Sequence, residues 1–503
     1  MIGNILLYLT IVLTVVAIFF ATKRQLSKSL ITAQSIVSIG VMVYMMWALV
    51  SDSFQIRYVF HHSEKALPWI YKISALWAGD SGSLILWSAI ISIVLLFLVL
   101  KKKAEPKTVI VILVFQLFVL ASIVFTTPFA VSSKSFVDGQ GLNLLLKNFW
   151  MLSHPPITFL AYSLMIIPFG ITLNFALSKN QSADLWRNQI KPWILATWLF
   201  LGVGIVFGAI WSYEVIGWGG YWGWDPVENA TLIPWLFLSA ALHSLLGNKN
   251  TRQNLRSTVG FTLASFVTVV LAVFITRSGI LSDVSVHSFT GQPLSIILTI
   301  LLILSILISI FVYLKLKDKT EKTEEPPLLS KSFLIGSGNL VVLIFSIVIL
   351  VATFWPVITG FMGSSQVIST SFYSVVLAPV GILLSAGIAF TPIFKWGKTD
   401  KDSLPKKLIS PMLGGIIGIW LLYELGIFIP VVIILVFISA FTLVSNVMQM
   451  RGMDWKRWGS NIAHIGLSIL IVGIVVSSNF QFVKQDILRI NQKVRLSLIE
   501  PSP

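Results

Sequence analysis

Apolar runs of about 20 residues recur along the whole chain, each long enough to cross a bilayer as a helix. About fourteen such spans can be drawn, near 4–21, 31–50, 83–100, 108–127, 156–177, 192–211, 230–247, 257–278, 294–314, 333–355, 374–392, 408–425, 427–448 and 461–477. The pattern predicts an all-α, polytopic transmembrane helical bundle. No basic residues precede the first run and no small-residue cleavage site follows it, so it reads as a retained helix rather than a signal peptide.

The polar positions between spans alternate in charge. One set of loops holds Lys23, Arg24 and Lys28; Lys101–Lys103 and Lys107; Lys179, Arg187 and Lys191; and Lys249, Arg252 and Arg256. It continues with Lys315, Lys317, Lys319, Lys322 and Lys331, then Lys395, Lys398, Lys401, Lys406 and Lys407, then Arg451, Lys456 and Arg457. The positive-inside rule makes these loops cytoplasmic and puts both termini on the outer side. The segments 51–82, 128–155, 212–229, 279–293 and 478–503 then face outward, and they carry the Trp, Gly and His clusters. The chain divides into N-terminal spans (1–50), a core (51–316) containing the tryptophan-rich outer loop 212–229, a charged cytoplasmic linker (317–332), C-terminal spans (333–478) and a short outer tail (479–503).

Composition narrows the chemistry. Of 503 residues, 56% are hydrophobic and 11% charged, which excludes a soluble domain. The net charge of +16 does not indicate nucleic acid, because the basic residues sit in short loops as membrane orientation requires. Cysteine is absent, which removes disulfides, thiolate metal sites, iron–sulfur ligation, cysteine nucleophiles and a C-x-x-C-H haem attachment site. Any metal or cofactor must be held by His, Met or oxygen, and the chain has six histidines.

The stretch "GWGGYWGWDPVENATLIPW" (217–235) opens the seventh span. Asp225, Pro226 and Glu228 form a capping-box variant, so helix initiation alone can account for the two carboxylates. An interfacial belt scatters Trp and Tyr singly. Here Trp218, Tyr221, Trp222 and Trp224 alternate with Gly217, Gly219, Gly220 and Gly223. Glycine permits close backbone approach and indoles offer rigid faces, a combination suited to a planar ligand of porphyrin size.

Histidine depth supports the same ligand. His154 and His287 lie in outer segments beside the fifth and eighth spans, whereas His243 and His464 lie within the seventh and fourteenth. Those two spans run in opposite directions, and a rise of about 1.5 Å per residue places both histidines in the inner half of the bilayer. A lone membrane histidine usually just bonds a neighbouring helix, but two at matching depth suit bis-imidazole ligation of a haem iron. His154 and His287 would ligate a second iron over the tryptophan shelf. His61 and His62 read as solvated surface residues. Arg277, at the outer end of the eighth span, either snorkels or pairs with a haem propionate.

The tryptophan stretch resembles the WWD signature of the haem-handling proteins of cytochrome c maturation. Four further stretches fit that family: "WAGDSGSLILW" (77–87), "LNLLLKNFWMLSHPPITFLAYS" (142–163), "ITRSGILSDVSVHSF" (275–289) and "HIG" (464–466). The order of elements is similar to the CcmF branch, the haem lyases of System I. The resemblance implies that His154 and His287, with Trp218, Tyr221, Trp222, Trp224, Asp225 and Arg277, handle the haem to be attached. It also implies that His243 and His464 hold a haem b that reduces it. Implied partners are a haem-delivering chaperone, an apocytochrome c with its thiol-handling subunits, and quinol as electron donor, at a multi-pass site in the cytoplasmic membrane facing the exterior. Tyr221 stands where the family usually has the second Trp of a Trp-Trp pair, and keeps an aromatic face. Family members usually continue into an outer domain and one more span, so another chain would supply that part or it is dispensable here. A haem exporter without ligase activity, and a quinol-oxidising membrane cytochrome b, are the alternative functions.

Overall fold

The computed structural model describes residues 2–101, 105–134, 136–178, 181–216, 220–247, 252–281, 292–316 and 326–479. Its helices are α1 (Ile2–Thr22), α2 (Lys28–Val50), α3 (Arg57–His62), α4 (Trp69–Ser74), α5 (Asp80–Leu100), α6 (Pro106–Thr126), α7 (Trp150–Leu177) and α8 (Ala183–Val215). They continue as α9 (Pro226–Leu246), α10 (Arg252–Arg277), α11 (Gln292–Lys315), α12 (Lys331–Gly360), α13 (Thr370–Phe390), α14 (Leu404–Glu424), α15 (Pro430–Met450) and α16 (Gly459–Asn479). Fourteen of these are long and apolar enough to cross a membrane, and they coincide with the fourteen expected spans. Among the described residues there is no strand, and a single antiparallel bridge joins Ile56 to Val131.

Three helices are longer than the apolar runs. α8 reaches Val215, which shortens the tryptophan loop to 216–225, and α12 extends over thirty residues. α7 starts at Trp150 although Pro155 and Pro156 follow within two turns. Pro155 supplies no N–H to the Met151 carbonyl, and the Trp77 indole donates to that carbonyl at 2.7 Å instead. Tertiary contact thus compensates a local break that the sequence reads as a helix start.

One large core runs through α1–α11, and a second joins α9 to α12 and α13. Within lipid, apolar surface cannot drive helix association, so buried polar groups contribute. Gln116 of α6 donates to Ser92 of α5 at 2.6 Å, and the hydroxyls of Ser38 and Ser88 meet at 3.2 Å. The C-terminal helices carry more exposed apolar surface. α12 packs against α9 on one side and α13 on the other, and α15 packs against α13, α14 and α16. This order brings α16 back toward α9, where the first candidate site lies.

Candidate functional site

At the end of the bundle rich in Lys and Arg, His243 of α9 and His464 of α16 face each other. Their ring centres are 6.2 Å apart and their planes differ by 3°. His243 Nδ1 lies 2.7 Å from the Ser239 carbonyl one turn earlier, so Nδ1 carries the proton and Nε2 presents its lone pair. Two metal–nitrogen bonds of about 2.0 Å, with each nitrogen about 1.1 Å from its ring centre, would separate the centres by about 6 Å. The observed 6.2 Å equals that sum, so one metal would fit between the rings if both Nε2 atoms turned inward. By accessible surface His243 is exposed and His464 half-buried.

The tryptophan loop lies at the opposite end of α9. Asp225 accepts from the Val227 amide and the Glu228 carboxylate accepts from the Asp225 amide, closing the capping box that the sequence signals. Glu228 also accepts from Gly223 at 2.9 Å, so the same carboxylate ties down the loop. Tyr221, 44% exposed, stacks on Tyr213 of α8 with centres 4.3 Å apart. Trp222 packs edge-on to Trp224, and its buried Nε1–H has no acceptor among the described residues. Such a donor costs free energy unless a ligand or water fills it. Trp224 adopts φ of +57°, a left-handed conformation that costs a bulky residue on the order of 1–3 kcal/mol.

His154 lies inside the first two turns of α7, not in the loop ahead of it. Its Nδ1 donates to the Gly204 carbonyl at 2.7 Å, and its ring occupies space that a Cβ on Gly208 would invade, 2.7 Å from Cε1. Glu214, near the end of α8, accepts from the Asn148 side chain at 2.9 Å and the Trp150 indole at 2.8 Å. The start of α7 is therefore held against α8 at the histidine and ahead of it.

The corner between α4 and α5 organises this end further. Trp77 reaches Met151, three residues before His154, and Asp80 pairs with Arg277 through a 2.9 Å contact. Arg277 is 7% exposed, so it neither snorkels nor stands at the surface; its guanidinium ties α10 to the start of α5. Tyr58 Oη accepts from the Gly79 amide and lies 2.9 Å from the carbonyls of Ala75 and Leu76. Burial raises the Tyr58 phenol well above its ordinary range. His61 is exposed, as expected. His62 is not: it is half-buried, stacked on Tyr58 at 4.2 Å, with Nδ1 against the Tyr58 carbonyl. Burial lowers its pKa from the ordinary value. The sequence misled because adjacent histidines in a long outer segment resemble a solvated pair, whereas α3 turns one of them inward.

Of the residues singled out in the sequence, His243 and His464 are brought together, and Tyr221, Trp222, Trp224 and Asp225 share one loop. Trp218 and His287 lie outside the described residues, as do Lys317–Glu325 of the linker and the tail beyond Asn479. Asp80, Glu214, Asn229 and Tyr373 were not singled out. Asp80 carried a signal, a lone carboxylate heading an apolar run; the others had none.

Residues 77–282 match the family described as "Cytochrome C assembly protein". The chain is 30% identical to cytochrome c-type biogenesis protein NrfE of Haemophilus influenzae over 470 residues, covering 89% of this chain and 72% of that protein. It is 28% identical to cytochrome c-type biogenesis protein CcmF of Pseudomonas aeruginosa over 461 residues, covering 86% of this chain and 69% of that one. The fold resembles a solved structure titled "Cytochrome c Heme Lyase CcmF", with a TM-score of 0.76 at 20% identity, over 95% of this chain and 77% of that one. The chain is a multi-pass membrane protein of the CcmF family of cytochrome c-type biogenesis proteins.

Proposed function

We propose that this protein is a haem lyase of cytochrome c maturation, holding a resident haem b between His243 and His464 and presenting a substrate haem on the tryptophan loop. The observation that carries the reading is the imidazole pair, parallel within 3° and 6.2 Å apart. Among the described residues no group of three or more His, Cys, Asp or Glu is placed to hold a bare metal ion, and a facing imidazole pair suits an iron whose other positions a porphyrin fills. When bound there, haem b supplies one-electron chemistry. The Ser239 carbonyl fixes the tautomer of His243, leaving Nε2 as the atom able to bind iron.

At the loop end, the orphaned Trp222 N–H and the glycine-spaced aromatic faces fit a planar ligand with acceptor groups on its rim. His154, with His287, is the proposed ligand set for substrate iron. The thiols come from the apocytochrome: each S–H adds across a vinyl group, forming C–S and C–H bonds with no net oxidation. The chain's own part is positioning rather than acid–base chemistry. Following the charge of the loops, the tryptophan end faces the exterior of the cytoplasmic membrane, with both termini on that side.

The test is His154→Ala in a strain where this chain is the sole lyase. Covalent haem attachment to a C-x-x-C-H reporter should be abolished. Normal attachment would overturn the assignment, and haem transport across liposomes without any cytochrome would favour an exporter.

A further inference from the structure

Trp224 turns its ring into the helix bundle, packing against the core formed by α9, α12 and α13. It stacks on Tyr373 of α13 with ring centres 4.6 Å apart and planes within 5°. Directly beneath, Asn229 is fully buried, and its Nδ2 reaches the Trp224 carbonyl and the Thr353 hydroxyl at 3.1 Å each, and the Tyr373 hydroxyl at 3.4 Å. One amide thus joins the loop backbone to α12 and α13. The left-handed φ of Trp224 persists only because these contacts over-determine it. The face of the ring stacked on Tyr373 is closed to a ligand.

We propose that Trp224 is a positioning residue whose stack on Tyr373, locked by Asn229, fixes the tryptophan loop to α12 and α13 and sets the angle at which Trp222 and Tyr221 meet substrate haem. This rests on the haem-lyase reading above. α13 packs on α15 and α15 on α16, so Tyr373 and His464 belong to one helix group. Trp224 and His243 stand at the two ends of α9. The strut and the imidazole pair therefore register the same two groups of helices at opposite ends.

The experiment uses purified full-length protein and a reporter apocytochrome, with Trp224→Leu, Tyr373→Leu, the double variant and Tyr373→Phe. Tyr373→Leu should raise amide hydrogen exchange at Gly223 and Asp225 about tenfold and lower covalent attachment by a similar factor, while b-type haem content stays unchanged. Tyr373→Phe, which keeps the stack, should restore both. The double variant should lose no more than Trp224→Leu alone. Wild-type loop exchange in Tyr373→Leu, or normal attachment in Tyr373→Leu beside a loss in Trp224→Leu, would overturn the proposal, because the indole would then act on haem directly. Wild-type protein that attaches no haem would count against the lyase reading instead, and the exchange measurement would then decide the strut on its own.

Discussion

Replacing Arg277 by methionine separates a structural arginine from one that serves the ligand. The Arg277 side chain is 8% exposed and that of Asp80 20%, with Nη1 and Oδ1 2.9 Å apart. Removing one member of a fully buried pair costs about 3–5 kcal/mol, because the other charge is left uncompensated. Asp80 keeps some access to water and heads α5, where the helix dipole favours a carboxylate by about 0.3–1 kcal/mol. Arg277→Met should therefore destabilise by about 2–3 kcal/mol. Asp80→Asn in the same chain removes the stranded charge and should recover at least half of that. Denaturant unfolding of the purified protein in detergent, run as a double-mutant cycle, should give a coupling of about 1.5 kcal/mol. Attachment to the reporter should follow stability, recovering in the double variant. Additive destabilisation would refute the ion-pair account. So would attachment lost in Arg277→Met, intact in Asp80→Asn and unrecovered in the double variant, because the guanidinium would then be serving a haem propionate.

A Cβ on Gly82 would overlap the Leu76 carbonyl and Tyr58 Oη, so Gly82→Ala should open the α4–α5 corner at a cost of about 2–4 kcal/mol, seen as faster hydrogen exchange over residues 75–83. His62 is neutral when folded because burial lowers its pKa, outweighing the Tyr58 carbonyl and Asp80, which act the other way. Its unfolded form takes up the proton first as pH falls, so its share of stability is present above about pH 6.5 and is lost below it. The protection factor over α3, with the intrinsic pH dependence of amide exchange divided out, should fall between pH 7.5 and 5.5, and His62→Phe should abolish that fall; an unchanged protection profile in the variant would refute it. Trp222→Phe removes a buried donor without an acceptor, so thermal stability should hold or rise by up to about 1 kcal/mol while substrate haem affinity falls severalfold. Loss of stability with unchanged affinity would show that the indole N–H serves the fold.

The spans were legible because each is set by a single physical demand, enough apolar length to cross a bilayer. The capping box at Asp225–Glu228 was legible for a similar reason, being local hydrogen-bond chemistry. His243 and His464 could be matched because helical rise converts sequence position into depth. What escaped depends on contacts remote in sequence. Pro155 and Pro156 mark a helix start locally, yet α7 begins earlier because Trp77 satisfies a freed carbonyl. Arg277 offered two readings from its position at a helix end, and its partner Asp80 lies across the bundle. The four aromatic residues of the tryptophan loop looked equivalent, but the three described divide: Tyr221 stacks on Tyr213, Trp222 leaves a donor unfilled, and Trp224 packs on Tyr373. Nothing within the loop sequence encodes that division; it comes from α8 and α13.

The most direct test is electron paramagnetic resonance of the purified, oxidised protein beside its His243→Ala and His464→Ala variants, with haem content measured in parallel. The wild type should show one low-spin, bis-imidazole haem b, absent from both variants. A low-spin signal of undiminished intensity in either variant would contradict the ligand assignment, because the iron would then be bound by other residues.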